Sequence, residues 1–412
     1  MIKKTEFIWN MLGSFVYAMF SAIILAICTR ANGLEIAGIF SITYATSCIL
    51  NAIGDFGIRI YQVTDTNRKY TFSEYFSARI ISIIIMIIIS IAFVFISGYT
   101  STKLAICILL VLYRVIDNLS ETFQAEFQIN QRLDIGGKSM VYRNSIAILV
   151  FAIIDLTTKN IILASIFMVL ANLFVFIIYD VRIIKKFNKE KIKIGLKSAR
   201  EIVKDCFPMA IASILNVYVI NAVKYAIDAT GDYSMQTYFN IIYMPTFVIN
   251  LISIFIIKPF LKLFGDCWNN GEHKKLFSAI WKIIGALVGT TFIIEIGCFI
   301  LGIPVLNWFY KVDISQYKLQ LMLLIISGLF YAICNLLFNM LGTIRKQNYI
   351  SIVYIITTII SLIFPKILVD KYQMTGAVIA NVAIMFILCT LLAIFLVIGI
   401  KKQTKKETIE SK

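Results

Sequence analysis

Residues Pro208–Asp228 read PMAIASILNVYVINAVKYAID, a run long and apolar enough to cross a bilayer. It nevertheless carries Asn221, Lys224 and Asp228 at spacing i, i+3, i+7. That spacing sets the three side chains on one face of a helix. A lysine in an apolar helix is costly in hydrocarbon, so this face is expected to meet protein, a partner or water rather than lipid. The longest charged segment of the chain lies immediately before this helix. Immediately after it, the sequence begins to echo its own first half.

Comparable apolar runs recur along all 412 residues. The composition is 59% hydrophobic and only 15% charged, with a mean hydropathy of +0.85. Soluble domains are nearer half apolar and a quarter charged. Each run matches the roughly 20 residues that span a ~30 Å hydrocarbon core. An all-α polytopic membrane protein is predicted, with twelve spans near 7–29, 36–57, 77–97, 104–127, 141–158, 160–180, 206–228, 234–257, 276–301, 317–341, 349–369 and 374–399. The first apolar run continues to Cys28 without a small-x-small cleavage site, which predicts an uncleaved first span.

The net charge of +16 could suggest nucleic acid, but the charges fall in connecting segments on one side of the membrane. Lysine and arginine divide 29 to seven between the two sets of connections, which predicts cytoplasmic termini at both ends. Eight scattered cysteines show no CxxC pair, and the single histidine, His273, lies in a polar loop. Neither a disulfide framework nor a metal site is indicated, and no cofactor is predicted. The outward turns are short, the longest being near 302–316, so they leave no room for a catalytic domain. No P-loop and no GxSxG motif is present, and no outward acidic pair could serve a glycosyltransferase. The chain is not expected to be an enzyme.

The basic segment 181–204 reads as a positive linker lying on anionic headgroups, or as a partner site. It divides the chain into an N-terminal six-helix lobe (1–180), the linker itself (181–204), a C-terminal six-helix lobe (205–400) and a basic cytoplasmic tail (401–412). An offset of 199 residues places Phe40, Ile42 and Tyr44 over Phe239, Ile241 and Tyr243. It also places Phe56, Ile58 and Arg59 over Phe255, Ile257 and Lys258. Six spans per half make this a parallel repeat, with a pseudo-two-fold axis along the membrane normal.

Span 4 is the second unusual helix. Arg114, Asp117, Glu121, Gln124 and Gln128 form one continuous polar stripe. The opposite charges can neutralise one another and fix packing, or the stripe can wall a hydrophilic cavity. Span 1 carries Asn10, Ser14, Tyr17 and Ser21, with Arg30 at its outer end, where arginine can snorkel. Asp55 and Arg59 are expected to pair with each other, and Asp155 to be solvated near the outer surface. Glu295, deeper in span 9, is a candidate for protonation or ion coupling. All five prolines lie at or after Pro208, which puts candidate hinges in the second half.

Several stretches carry a family likeness. NGLEIAGIFS (32–41), DFGIRIYQVTD (55–65), Phe72–Tyr75, Arg79, Phe207–Pro208, YVINAVKYAID (218–228) and IIYMPTFVINLISIFIIKP (241–259) resemble bacterial polysaccharide exporters. The likeness is to the Wzx-like flippase branch of the multidrug/oligosaccharidyl-lipid/polysaccharide exporter superfamily, and it covers essentially the whole chain. Val223 departs from it, standing where many relatives have proline.

The resemblance implies two six-helix lobes in a V around a basic cavity, in the bacterial cytoplasmic membrane. It implies an undecaprenyl-pyrophosphate-linked oligosaccharide, flipped from the inner to the outer leaflet by alternating access. Membrane lipids, and a glycan polymerase or glycosyltransferases, would be partners of a chain expected to be monomeric. On this reading Arg30, Arg114 and Lys224 meet the diphosphate. Asp117, Glu121, Gln124 and Asn221 face the sugar and Asp228 also lines the substrate site, while Arg59 and Lys258 lie at the inner mouth, meeting the diphosphate first or anchoring headgroups. A cation-coupled drug or metabolite antiporter of the same fold would favour an acidic cavity. A membrane glycan polymerase would need a large outward loop.

Overall fold

The computed structural model describes residues 4–65, 68–99, 101–188, 195–257, 260–344 and 346–410, which are helical almost throughout. In chain order the helices are α1 (Lys4–Asp55), α2 (Ile58–Thr64), α3 (Phe72–Ile96), α4 (Ser101–Ile129), α5 (Leu133–Thr158), α6 (Ile161–Val175) and α7 (Val181–Phe187). There follow α8 (Leu196–Asp228), α9 (Tyr233–Ile257), α10 (Leu261–Asn269), α11 (His273–Gly297), α12 (Ile303–Tyr310), α13 (Lys318–Thr343) and α14 (Gln347–Glu410). A π turn at Phe176–Asp180 joins α6 to α7, and another at Cys298–Gly302 joins α11 to α12.

Among the described residues, nine helical stretches are long and apolar enough to cross a membrane. Two of them are each broken at one residue, α1 at Gly33 and α14 at Gln373. Helix α4 has the length but carries too many charges to qualify on hydropathy. Counting both arms of α1 and α14, and adding α4, gives the twelve spans expected. The expected gap between the first two spans is a single-residue corner, because Gly33 takes φ 84°, ψ −177°. Only glycine adopts that conformation without strain. Helix α5 begins at Leu133, two turns earlier than predicted, so Arg143 lies well inside the helix rather than at its start.

Several hydroxyls inside these apolar helices are satisfied locally. The hydroxyls of Thr43, Ser90 and Thr357 donate to the carbonyls of Ile39, Met86 and Val353, one turn earlier. Helix α3 starts on a capping box: Glu74 N–H donates to Thr71 Oγ1, and Thr71 N–H donates to Glu74 Oε2 at 2.8 Å.

The chain forms two compact units, Met1–Val217 and Tyr218–Lys412, with the division inside α8. In the N-terminal unit, α1 crosses α5 where Gly13 and Gly137 meet. A Cβ at Gly137 would collide with the Trp9 carbonyl, so this approach depends on small residues. The end of segment 181–204 is the opening of α8 rather than a separate linker. Ala199, Ile202, Cys206 and Ala210 pack on Phe56, Ile58, Tyr70, Tyr75 and Ala78 of the α1–α3 region. Tyr61 donates to Asp205 across this contact at 2.9 Å. In the loop before α3, burial pushes the Asp65 carboxyl upward. The Lys69 and Tyr70 amides and the Tyr75 hydroxyl outweigh burial and hold it below the ordinary carboxylate value.

In the C-terminal unit, α13 packs against α9 and α14. Asn335 donates to Asn250 at 2.7 Å, Ser327 donates to Asn381, and Gly328 lies against Thr246 and Ile249. Helices α8, α9 and α14 run through Pro208, Pro245 and Pro365. Pro259 lies outside the described residues.

The two corners predict opposite effects of substitution. Gly33→Ala should destabilise by about 1–3 kcal/mol, the cost of a side chain in that region. Gln373, at φ 47°, ψ −126°, already occupies a glycine-favoured conformation. Gln373→Gly should therefore raise the melting temperature in detergent, while Gly33→Ala lowers it.

Candidate functional site

Helix α4 carries the polar centre of the N-terminal unit. Arg114 is 2% exposed, and its guanidinium donates to Tyr17 Oη at 3.0 Å and to Asp117 Oδ2 at 3.3 Å. Ser47 and Cys48 of α1 receive its remaining N–H groups, and its Cζ stands 4.9 Å from the Tyr44 ring centre. Asp117 is shared: its Oδ1 lies 3.0 Å from Arg143 Nη2 of α5. Arg143 in turn donates to Asn172 Oδ1 at 3.2 Å and stands 3.7 Å from Asp180 Oδ2. Asp180 accepts from Ser120 at 3.0 Å and Ser139 at 2.9 Å, and is carried by the π turn that ends α6. π turns of this kind recur at functional positions.

A second group is centred on Arg79 of α3, which is fully buried. Its guanidinium donates to the Gly54 and Asp55 carbonyls, to Asn118 Oδ1 and to Thr122 Oγ1, all between 2.7 and 2.9 Å. It lies 3.4 Å from Asp55 Oδ1. The four arginines 59, 79, 114 and 143 therefore face the four acids Asp55, Asp117, Glu121 and Asp180. Counted by formal charge, these eight side chains balance. The balance has a physical origin, since an uncompensated buried charge costs several kcal/mol.

These contacts revise several expectations. Asp55 pairs with Arg79, and Arg59 reaches Glu121 at 3.9 Å, so Asp55 and Arg59 do not pair with each other. Arg114 pairs with Asp117 as the stripe suggests, while Glu121 turns to Arg59. Gln124 is buried, donates to Ser120 and packs by Gly136 of α5, which removes it from an open wall. Asp155 is fully buried, not solvated, because Asn32 Nδ2 lies 2.8 and 2.9 Å from its two oxygens. Arg30 is exposed just before the Gly33 corner. Glu295 is half-buried in α11, and Lys258 lies outside the described residues.

Arg143, Asn118 and Asp180 carry the network without having been singled out, and Arg79 was marked only through the family likeness. For Arg79 the signal was present: Thr71 and Glu74 mark the start of α3, which puts Arg79 two turns inside it. For Asp180 there was none, because a π turn has no sequence signature strong enough to place it.

In the C-terminal unit the polar face of α8 is buried at Asn221 and Lys224, each 8% exposed, and half-buried at Asp228. Among the described residues of that unit, Lys224 is the one charged residue that is buried. Its Nζ stands 5.7 Å from the Tyr243 ring centre. Tyr243 stacks on Phe239 at 5.7 Å, and Tyr44 packs on Phe40 at 5.9 Å. The 199-residue offset thus relates two tyrosines that each hold a buried cation over the ring. Among the described residues, no cluster of three or more histidine, cysteine or acidic side chains could hold a metal ion.

Lipid II flippase MurJ in its inward closed conformation superposes on the chain with a TM-score of 0.65 at 16% identity, covering 97% of this chain and 91% of that one. A MOP superfamily transporter from Pyrococcus furiosus superposes with a TM-score of 0.60 at 14% identity, covering 96% and 94%. This is the MOP superfamily fold. The structural relatives are transporters and a flippase rather than enzymes. With its apolar helices, the chain is a multi-pass membrane protein of that fold. In sequence, it is 25% identical over 329 residues to the capsular polysaccharide biosynthesis protein CapF of Staphylococcus aureus, covering 78% of this chain and 81% of that one. No protein-family model matches the chain.

The shared carboxylates predict a compensating pair of substitutions in this MOP-fold chain. Arg143→Met alone leaves Asp180 uncompensated and should cost about 3–5 kcal/mol. Adding Asp180→Asn restores the balance of Arg114 with Asp117. Thermal unfolding in detergent should show the double variant more stable than Arg143→Met.

Proposed function

We propose that the chain is a flippase that moves undecaprenyl-pyrophosphate-linked oligosaccharide from the inner to the outer leaflet of the bacterial cytoplasmic membrane. The product feeds a capsule-like or O-antigen-like polymer. The chain acts by alternating access, as a monomer with both termini in the cytoplasm, and passes its substrate on to a glycan polymerase. The observation that carries this reading is Lys224, the one buried charge among the described residues of its unit, held by Tyr243. A diphosphate crossing an apolar interior needs such a cation, and lysine is a natural phosphate partner. Likeness to a capsule protein and to a lipid-linked substrate flippase supports the same reading.

In this scheme Lys224 meets the diphosphate, while Asn221 and Asp228 offer hydrogen bonds to sugar hydroxyls. The Arg59–Glu121 pair is the most accessible part of the N-terminal network and is suited to first contact with the headgroup. Arg114 and Asp117, engaged by their neighbours, hold α1, α4 and α5 in register. A cation-coupled antiporter would need a buried carboxylate open to its ion. Asp55, Asp117 and Asp180 stand beside arginines instead, and the buried Asp155 takes the Asn32 amide on both of its oxygens.

Lys224→Ala should abolish glycan export with protein level unchanged, measured as surface polysaccharide against immunoblotted protein. Lys224→Arg should retain more export than Lys224→Gln. Export by Lys224→Ala at the wild-type rate would sink the assignment.

A further inference from the structure

Among the ion pairs of the N-terminal network, Arg59–Glu121 is the loosest. Its N–O distance of 3.9 Å lies beyond a hydrogen bond, against 3.0–3.7 Å for the pairs of Arg79, Arg114 and Arg143. Arg59 is the second residue of α2, and Glu121 lies on α4, one residue before the Thr122 that accepts from Arg79. Both side chains are partly exposed, Arg59 at 31% and Glu121 at 26%. Among the described residues, neither makes a hydrogen bond. Arg59 thus neutralises Glu121 by proximity alone and keeps its N–H fork uncommitted.

The other ionisable groups around Glu121 are Tyr17 and Asp55 of α1, Arg79 of α3 and Asp117 of its own helix. The Tyr17 hydroxyl accepts from Arg114. Arg79 is committed to the Gly54 and Asp55 carbonyls, to Asn118 and to Thr122, and lies against the Asp55 carboxylate. Asp117 is shared by Arg114 and Arg143, and on the α5 side of α4 Arg143 also takes Asp180. Once Arg59 is drawn away, no other cation of this group is at liberty to replace it. Glu121 is then an anion near two further carboxylates, in partly desolvated surroundings. Taking up a proton removes that cost.

We propose that a phosphate group arriving at Arg59 displaces Glu121, and that Glu121 takes up a proton as it is released. This exchange rests on the flippase reading and links its first contact to the proton. A phosphate offers the Arg59 fork two parallel N–H···O bonds, where Glu121 accepts none. The proton comes from the aqueous side and forms an O–H bond on the Glu121 carboxyl. It leaves again when the phosphate departs and the ion pair re-forms. The bound state holds one proton more than the free state, so affinity rises as the pH falls.

The test is isothermal titration of the purified full-length chain in detergent with farnesyl pyrophosphate, an isoprenoid diphosphate. It is run in buffers of different ionisation enthalpy, at pH values where the probe is fully ionised, so that the heats report protons taken up. The wild type should take up about one proton per diphosphate bound, and its Kd should fall about tenfold per pH unit of acidification, the limit for one linked proton. Glu121→Gln should bind at least as tightly, since Arg59 has no carboxylate to leave, and should lose the uptake. Arg59→Gln should lose the uptake and weaken binding about tenfold, the usual scale for one charged contact. Absence of binding to the wild type, binding without uptake, or equal uptake by either variant would overturn the exchange. A wild-type chain that exports glycan but takes up no proton on binding removes the exchange alone. Proton-linked binding by a chain that exports no glycan removes the flippase reading and leaves the exchange.

Discussion

Asp117 is held between two guanidinium groups, Arg114 at 3.3 Å and Arg143 at 3.0 Å, in a place from which water is nearly excluded. Neither arginine could stay there uncompensated, and a lone carboxylate would be equally costly. The consequence is geometric. Arg114 reaches α1 through Tyr17 and Ser47, and Arg143 reaches the end of α6 through Asp180. Four helices are thereby fixed around one carboxylate. In a membrane, where burying apolar surface does not drive helices together, such polar contacts and close glycine crossings carry the specificity of packing.

The C-terminal unit meets the same constraint with fewer charges. Its described interior relies on amide and hydroxyl pairs such as Asn250–Asn335 and Ser327–Asn381. Against that neutral background, Lys224 stands out electrostatically. The face of Tyr243 steadies that cation through the ring quadrupole. Arg114 over Tyr44 has the same ring beneath it and a carboxylate besides. Repeat-related tyrosines thus each lie beneath a buried cation, Arg114 in one unit and Lys224 in the other.

The helical class and the number of spans were legible because hydropathy reports them directly, and the positions of Lys224 and Arg114 came with them. The partners of those residues were less legible. Arg79 and Arg143 fall close to span ends, so counting them with the connecting segments hid their burial. The Thr71–Glu74 box could have corrected the first. Asp155 looked solvated because a sequence does not disclose that Asn32 lies beside it. Asp180 depended on the π turn, which turns its side chain toward Ser120 and Ser139. Single-residue corners at Gly33 and Gln373 looked like ordinary loops, since helical residues flank each of them directly.

Those corners also bear on how the protein meets its bilayer. A loop of several residues lets two neighbouring spans adjust their depth separately. A corner of one residue leaves no slack, so the two arms of α1, and likewise those of α14, share one depth. Where the membrane thins or thickens, each pair can respond only by tilting together or by deforming the surrounding lipid, at fractions of a kcal/mol per Å. Bilayer thickness would then act on paired arms rather than on twelve independent rods.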